Sequence, residues 1–375
     1  MKIGILTLPL HTNYGGLLQA YALQTVLERM GHEVEHLQPK VIYPRYHHIW
    51  AMPMVWVKRS MRKFLGGEWR LPIFQHPRKW IRKHTDKFIR QYINCRCLEN
   101  EDWTKELAMQ YDALVVGSDQ VWRTFYAYPF ARYFADFASG TSVRRISYAA
   151  SFGVAGGDLS REQIAACKPL LQDFDAVSVR ESSAVMDCKN LFDVQAKQVL
   201  DPTLLLSKED YMHLFSKNKR SRGNLMVYVL DESSFTEAII SRLARDKGLK
   251  PFRTNSLIEK GIEKGLEKVG LTKCQQPPLE QWLRGFYDAD YVVTDSFHAC
   301  VFSIIFQKQF ICLGNQNRGM GRFHSLLEPL GLSDRLISAE EFSLPDTNIN
   351  WKDVNERLEQ MRISSRQFLA EALGC

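Results

Sequence analysis

The sequence lacks most of the features that assign a protein at sight. No stretch approaches ~18 apolar residues, so a membrane-spanning helix is not expected. The N-terminal run Met1-Lys2-Ile3-Gly4-Ile5-Leu6-Thr7 meets Pro9 and His11 too early to be a signal-peptide core, and a cytoplasmic location is expected. No internal repeat or low-complexity tract is present. The eight cysteines (95, 97, 167, 188, 274, 300, 312 and 375) are scattered. Their one close pair, Cys95-x-Cys97, lacks the CxxC spacing of a zinc or redox site, so reduced thiols are expected, several of them buried as small hydrophobes. HExxH, clustered Asp residues and a Cys quartet are missing as well, and no metal is expected. No GxGxxG follows the first strand, which disfavours a dinucleotide.

What is present fits a soluble globular protein. At about 100–200 residues per domain, 375 residues predict two domains. A composition of 45% hydrophobic and 24% charged residues excludes a disordered chain. The formal charge of +7 is unevenly spread: between Arg45 and Tyr92 twelve Lys or Arg meet only Glu68 and Asp86, a local +10 that leaves the remainder at −3. Basic character belongs to one region, and nucleic-acid binding is not implied.

Lys2–Thr7 reads as a strand. Leu17–Met30 reads as a helix, with apolar residues at 20, 23, 27 and 30 and a stop at Gly31, and Glu33–Leu37 as a second strand. Strand-like runs follow at Ala113–Val116, Arg145–Ala150, Ala176–Val179 and Gln198–Leu200, with helical stretches such as Ser160–Phe174 between them. After Asp201-Pro202-Thr203 a second series begins, with strands at Leu225–Leu230, Tyr291–Thr294 and Phe310–Leu313 and helices at Phe235–Lys247 and His298–Phe306. Asn255–Gln276, with three glycines and no clean period, is read as helix, and Lys352–Leu373 as a C-terminal helix. Alternation of this kind predicts parallel sheets covered on both faces, with ligands outside the carboxyl ends of the strands. The expected fold is α/β, with two Rossmann-like domains facing across a cleft. Residues 1–206 form the first, carrying a basic helical insertion at about 40–100; residues 207–345 form the second; a helix over 346–375 closes the chain.

Five segments carry polar groups where such a cleft would be. His11-Thr12-Asn13-Tyr14-Gly15-Gly16 joins strand one to the first helix, where glycines admit a ligand to the backbone and a helix N-terminus favours an anion or a sugar hydroxyl; a tight turn with close packing explains it equally. Gly117-Ser118-Asp119-Gln120-Val121-Trp122 could hold a sugar with Trp122 as stacking platform, or be a capping Asp and a core Trp. Arg180, at the end of Val177-Ser178-Val179, can grip a carboxylate or phosphate, or pair with Glu181 or another neighbour. In Thr294-Asp295-Ser296-Phe297-His298 the histidine falls in a first helical turn, where the helix dipole favours a neutral imidazole until an anion arrives, although a lone His is more often structural. The loop from Gly314 to Phe323 carries Arg318 and Arg322 and suits an anion lid or a plain surface loop.

Taken in order, NYGG at 13–16, GSDQVW at 117–122, SYAASFG at 147–153, VSVRE at 177–181, LDPT at 200–203 and TDSFH at 294–298 closely resemble the polysaccharide pyruvyl transferase family. The similarity runs from Ile3 to about Leu332, is most specific in GSDQVW and TDSFH, and is weakest from Pro39 to Asn100. It implies a GT-B-like fold and a transferase that places the pyruvyl group of phosphoenolpyruvate on two hydroxyls of a sugar. The product is a cyclic ketal on a surface polysaccharide, such as an exopolysaccharide or capsule, or on its precursor; phosphate is released and no cofactor is needed beyond this donor substrate. It also implies that Arg180 and His298 meet phosphoenolpyruvate. The family's S-x-R-x-H motif has Ser296 here at its Arg position, so either Arg318 or Arg322 supplies the charge or the donor is different.

On this reading His298 is the acid–base group and Asp119 the second candidate. The donor side is Arg180, Ser296, Arg318 and Arg322. The acceptor side is Asn13, Tyr14, Gly15, Gly16, Ser118, Gln120 and Trp122. A GT-B glycosyltransferase using a nucleotide sugar shares the architecture, and a non-catalytic glycan-binding relative follows if Ser296 marks a lost site. In the basic segment, Met54, Val57, Met61, Phe64 and Leu65 share one helical face and Lys58, Arg59, Arg62 and Lys63 the other, from Pro53 to the stop at Gly66-Gly67. Such a helix (53–65) suits peripheral contact with an anionic membrane near lipid-linked acceptors, or packing on the first domain with its charges solvated or lining the acceptor cleft.

Overall fold

A computed structural model describes residues 1–41, 52–64, 77–154, 156, 158–215, 219–254, 275–314, 319–338, 344–345 and 347–374. Two parallel sheets organise it. The first contains β1 (Lys2–Leu6), β2 (Glu33–Pro39), β3 (Cys95–Leu98), β4 (Ala113–Val116), β5 (Arg144–Ala150), β6 (Ala176–Val179) and β7 (Lys197–Gln198), in the order β3-β2-β1-β4-β5-β6-β7. The second contains β8 (Leu225–Tyr228), β9 (Pro251–Arg253), β10 (Tyr291–Thr294), β11 (Gln309–Leu313) and β12 (Leu336–Ile337), in the order β12-β11-β10-β8-β9. Strands such as β4 and β10 are buried along their whole length, which is why they read as unbroken apolar runs rather than alternating ones. This is the α/β, two-sheet, GT-B-like architecture expected, and the boundary expected near Ser207 lies between β7 and β8.

Topology determines where a ligand can sit. The chain runs from β1 outward to β2 and β3, then returns to lay β4 on the other side of β1. It does the same in the second sheet, from β8 to β9 and back to β10. At each reversal the connections leave in opposite directions and open a crevice outside the carboxyl ends of the adjacent strands.

Local chemistry moves several boundaries. The first helix spans Tyr14–Arg29, three residues earlier than its apolar period suggests, because the Asn13 side chain accepts the Gly16 N–H at 3.3 Å and caps it. The strand expected to reach Leu200 ends at Gln198, and Asp201 caps a short turn, Pro202–Leu205, accepting the Thr203 N–H at 3.1 Å. Within the stretch expected as a helical insertion, Cys95–Leu98 instead pairs with β2 as the edge strand of the first sheet. The helix expected over 255–276 lies almost wholly outside the described residues.

One core runs between the sheets. It joins Ile3 and Ile5 of β1, Leu17, Leu18 and Leu23 of the first helix, Phe302 of the helix Phe297–Ile305 and Trp282 of the helix Leu279–Asp288. The C-terminal helix Trp351–Leu373 returns to the first sheet: Arg362 and Arg366 donate to the Leu204 and Leu205 carbonyls, both at 2.6 Å, and Ser365 accepts the Leu200 N–H at 3.0 Å. Cys167, Cys188, Cys300 and Cys312 are buried free thiols; Cys274 and Cys375 lie outside the described residues.

Candidate functional site

The two crevices face each other and form one cleft of about 190 Å³. Leu8–His11, Asn13 and Gly16 reach it from the end of β1, and Asp119, Gln120, Arg123 and Tyr126 from the end of β4. Leu230 comes from β8, Asp295–His298 from β10, and Arg322 from the helix Gly321–Leu327. Of the residues expected at a site, the structure thus gathers Asn13, Gly16, Asp119, Gln120, Ser296, His298 and Arg322. Arg318 lies outside the described residues.

His298 occupies the first turn of the helix Phe297–Ile305, as its spacing suggests. Its ring lies against the backbone of Gly15: a Cβ there would stand 2.1 Å from Nδ1 and 2.3 Å from Cγ. Gly15 is therefore needed for the histidine across the cleft and not for direct approach of a ligand, which corrects its acceptor-binding assignment. On its other side Nε2 stands 3.6 Å from Asp201 Oδ2, an ion-pair separation without a hydrogen bond.

Asp201 is fully buried and links the two halves of the site. Its Oδ2 also takes Arg180 Nη1 at 3.0 Å, while Oδ1 accepts the Thr203 hydroxyl at 2.6 Å. Burial pushes this carboxyl up, but His298 and Arg180 outweigh it and hold it well below the ordinary carboxylate range. Arg180 is buried among three carboxylates, those of Asp201, Asp119 (3.5 Å) and Glu181 (3.3 Å), and its guanidinium stacks 4.6 Å from the Phe297 ring centre. The direct anion grip expected of Arg180 is not seen, since its charge is already matched and the side chain does not line the cleft.

Other expectations change for the same reason, burial. Trp122 is fully buried, stacked on Phe134 at 5.4 Å and donating its indole N–H to the Tyr133 carbonyl at 3.0 Å, so it is a core residue and no sugar platform. Tyr14 is buried against Tyr228 and Trp282 with its hydroxyl donated to the Pro277 carbonyl, which ties the two sheets together. Ser118 is buried too, its hydroxyl donating to the Ala149 carbonyl at 3.2 Å. Gly117, with φ of +128° and Tyr148 O only 2.1 Å from where a Cβ would be, is a close-approach glycine that turns the chain beneath Asp119.

Arg322 is the cation the cleft presents from the second half. Its guanidinium stands 5.9 Å from the Phe297 ring centre, and burial together with the charge of Arg180 lowers it to about 10. A bound anion would relieve that penalty. The sequence reading missed Arg123, whose Nη1 donates to Gln120 Oε1 at 2.8 Å, and Asp295, which accepts the Leu230 and Asp231 N–H groups at 2.8 and 2.9 Å. It also missed Tyr126 and the part played by Asp201. Position one past GSDQVW pointed to Arg123, and LDPT contained Asp201, but only the fold shows what they meet. Among the described residues no group of three or more His, Cys, Asp or Glu is arranged to hold a metal.

Fold and cleft together define an α/β protein of two Rossmann-like sheets, whose two switch points share one polar crevice lined by two histidines and two arginines. The family model for polysaccharide pyruvyl transferase matches residues 13–317, and the chain belongs to that family. Among solved structures it is similar to E. coli ADP-heptose LPS heptosyltransferase II (11% identity, 97% of this chain and 99% of that one, TM-score 0.40). It is also similar to the S. aureus MnaA–UDP structure (10%, 99% and 91%, TM-score 0.45) and to Methanocaldococcus jannaschii UDP-GlcNAc 2-epimerase in complex with UDP-GlcNAc and UDP (10%, 96% and 93%, TM-score 0.43). No curated protein matches the chain at a significant level.

Proposed function

We propose that this transferase moves the pyruvyl group of phosphoenolpyruvate onto two hydroxyls of a sugar in a surface polysaccharide or its precursor, forming a cyclic ketal and releasing phosphate. The observation that carries the reading is His298 in the cleft, held between Gly15 and Asp201 and flanked by Arg322, in a chain of this family. Phosphoenolpyruvate bears a phosphate and a carboxylate on one small enol, which calls for converging cations and N–H donors. Arg322, Arg123 and the N-terminus of the helix Phe297–Ile305 meet that need, Ser296 leaving room where the family has an arginine. Arg180 acts one layer below, pairing with Asp119 and helping to keep the Asp201 carboxylate ionised beside the histidine.

His298, protonated, gives its proton to the enol methylene carbon, and a sugar hydroxyl attacks the adjacent carbon as positive charge develops there. The first hydroxyl's proton passes to the imidazole or to Asp119, the C–O bond to phosphate breaks, and the second hydroxyl attacks the same carbon and closes the ring, its proton leaving on the released phosphate. General acid–base help of this kind is worth on the order of a hundred- to ten-thousand-fold. The donor is a cytosolic metabolite, so this reading implies reaction in the cytoplasm, with no added cofactor. No described helix is long and apolar enough to cross a membrane. The helix Met52–Phe64 nevertheless leaves Met54, Val57, Met61 and Phe64 more than half exposed on one stripe, which supports peripheral contact with an anionic bilayer over the packed alternative.

Ser296, together with the full neutralisation of Arg180, favours one second reading, a nucleotide-sugar donor. Incubating the protein with a panel of glycans and each donor class separates the two. Phosphate release from phosphoenolpyruvate with a pyruvyl-ketal mass gain on a glycan is the expected result; nucleoside-diphosphate release with a sugar mass gain refutes it.

A further inference from the structure

The turn that follows Arg123 carries three large aromatic side chains in the open: Phe125 (79% exposed), Tyr126 (47%) and Tyr128 (88%). A single exposed apolar residue needs no explanation, but three within four positions, one of them, Tyr126, lining the cleft, do. The exposure does not come from a loose loop. Trp122 before the turn and Ala127 within it are buried; the Tyr126 and Ala127 N–H groups both donate to the Arg123 carbonyl at 3.1 Å, and the Thr124 N–H donates to Asp158 Oδ1 at 3.1 Å. The Phe125 and Tyr126 rings stand perpendicular to each other, centres 5.0 Å apart at 84°.

We propose that this turn is the stacking wall of a saccharide subsite, with Tyr126 against the sugar ring and Phe125 extending the wall to the next sugar of an oligosaccharide. The proposal rests on the reading of the cleft as a transferase site and names how its acceptor is held. Arg123 covers one face of the Tyr126 ring, its guanidinium carbon 5.3 Å from the centre, and is itself fixed by Gln120, so the other face is the one a ligand meets. A pyranose presents an apolar C–H face that an aromatic ring takes, and equatorial hydroxyls that amides and carboxylates take. Gln120, Asn13 and Asp119 line the cleft beside Tyr126 and supply those groups. The wall that Trp122 cannot provide is thus displaced four residues along the same segment.

A printed array of oligosaccharides of common bacterial hexoses and N-acetylhexosamines, probed with labelled full-length protein with and without phosphoenolpyruvate, tests this directly. Wild type binds a subset of these glycans. Tyr126→Ala weakens that binding about tenfold or more, Tyr126→Phe keeps it within about twofold because the ring and not the hydroxyl stacks, and Phe125→Ala loses preference for longer glycans over short ones. Equal melting temperatures of Tyr126→Ala and wild type show the fold intact. The proposal is overturned if Tyr126→Ala binds glycans as wild type does, if wild type binds none under either condition, or if the substitution abolishes binding of UDP or ADP while leaving glycans unaffected. Glycan binding in the arm without phosphoenolpyruvate is read without turnover, so a failure of the donor assignment leaves this result standing and separately visible.

Discussion

Replacing Gly15 by alanine tests whether the two halves of the site are built against each other. The added Cβ would lie 2.1, 2.3 and 2.8 Å from His298 Nδ1, Cγ and Cβ, where ordinary contact begins near 3.4 Å. The ring must therefore retreat by more than about 1 Å, and because its own Cβ is in the clash, rotation of the side chain does not suffice. A misplacement of about 1 Å at a reacting group costs on the order of a hundredfold in rate. Overpacking costs about 1–3 kcal/mol, partly offset by the gain of about 1 kcal/mol for alanine over glycine within a helix. Gly15→Ala should thus lower turnover about a hundredfold while lowering stability by no more than about 2 kcal/mol. A double-mutant cycle with His298→Ala, followed by urea denaturation, isolates the contact. With the ring gone the two shortest contacts vanish and only the 2.8 Å contact to the Cβ is left, so the cost of the substitution should fall, a coupling of about 1–3 kcal/mol. Wild-type turnover in Gly15→Ala, or additive stabilities in the cycle, refutes the reasoning.

His298→Ala should stay folded and lose roughly a hundred- to ten-thousand-fold in phosphate release from phosphoenolpyruvate, whereas Arg322→Ala should raise the donor KM as well as lower the rate, since it removes charge from ground and transition states alike; an unchanged donor KM would return Arg322 to a packing role. His36 is fully buried, with Nε2 3.2 Å from the Ala20 carbonyl, and burial pushes it down to about 4. The unfolded chain takes that proton near pH 6.5 and the native one only near 4, so stability should fall as pH drops between those values, by roughly 3 kcal/mol in all, and be flat above. Urea midpoints at pH 7, 5.5 and 4.5 for wild type and His36→Gln check the sign, a flat wild-type profile counting against it. Vesicles of anionic lipid should pull down the protein at low salt and neutral ones should not; reversing Lys58, Arg59, Arg62 and Lys63 to glutamate should abolish the effect, and equal absence from both vesicles would leave Met52–Phe64 without a membrane role.

The sheets were legible because parallel strands buried on both faces need continuous apolar runs, and Ala113–Val116, Ala176–Val179 and Tyr291–Thr294 recur in the fold with the limits their composition suggests. The polar ends of those runs were legible as site material for the same reason: they are where the chain leaves a buried strand. His298 in a first helical turn needed only its own neighbours in sequence. So did the family resemblance.

What a side chain does once it reaches the crevice depended on partners the sequence does not place beside it. Arg180 is silenced by Asp119 and Asp201, each carried there by a different strand, and Trp122 is sealed by Phe134 and Phe152. Gly15 matters through His298 from the other sheet, and Tyr126 is left open because Trp122 and Ala127 on either side turn inward. Local composition governs strands, caps and turns, since those are contests between a residue and its immediate neighbours. Charge neutralisation and exposure are contests between whole elements, and only the packing of those elements on one another decided them.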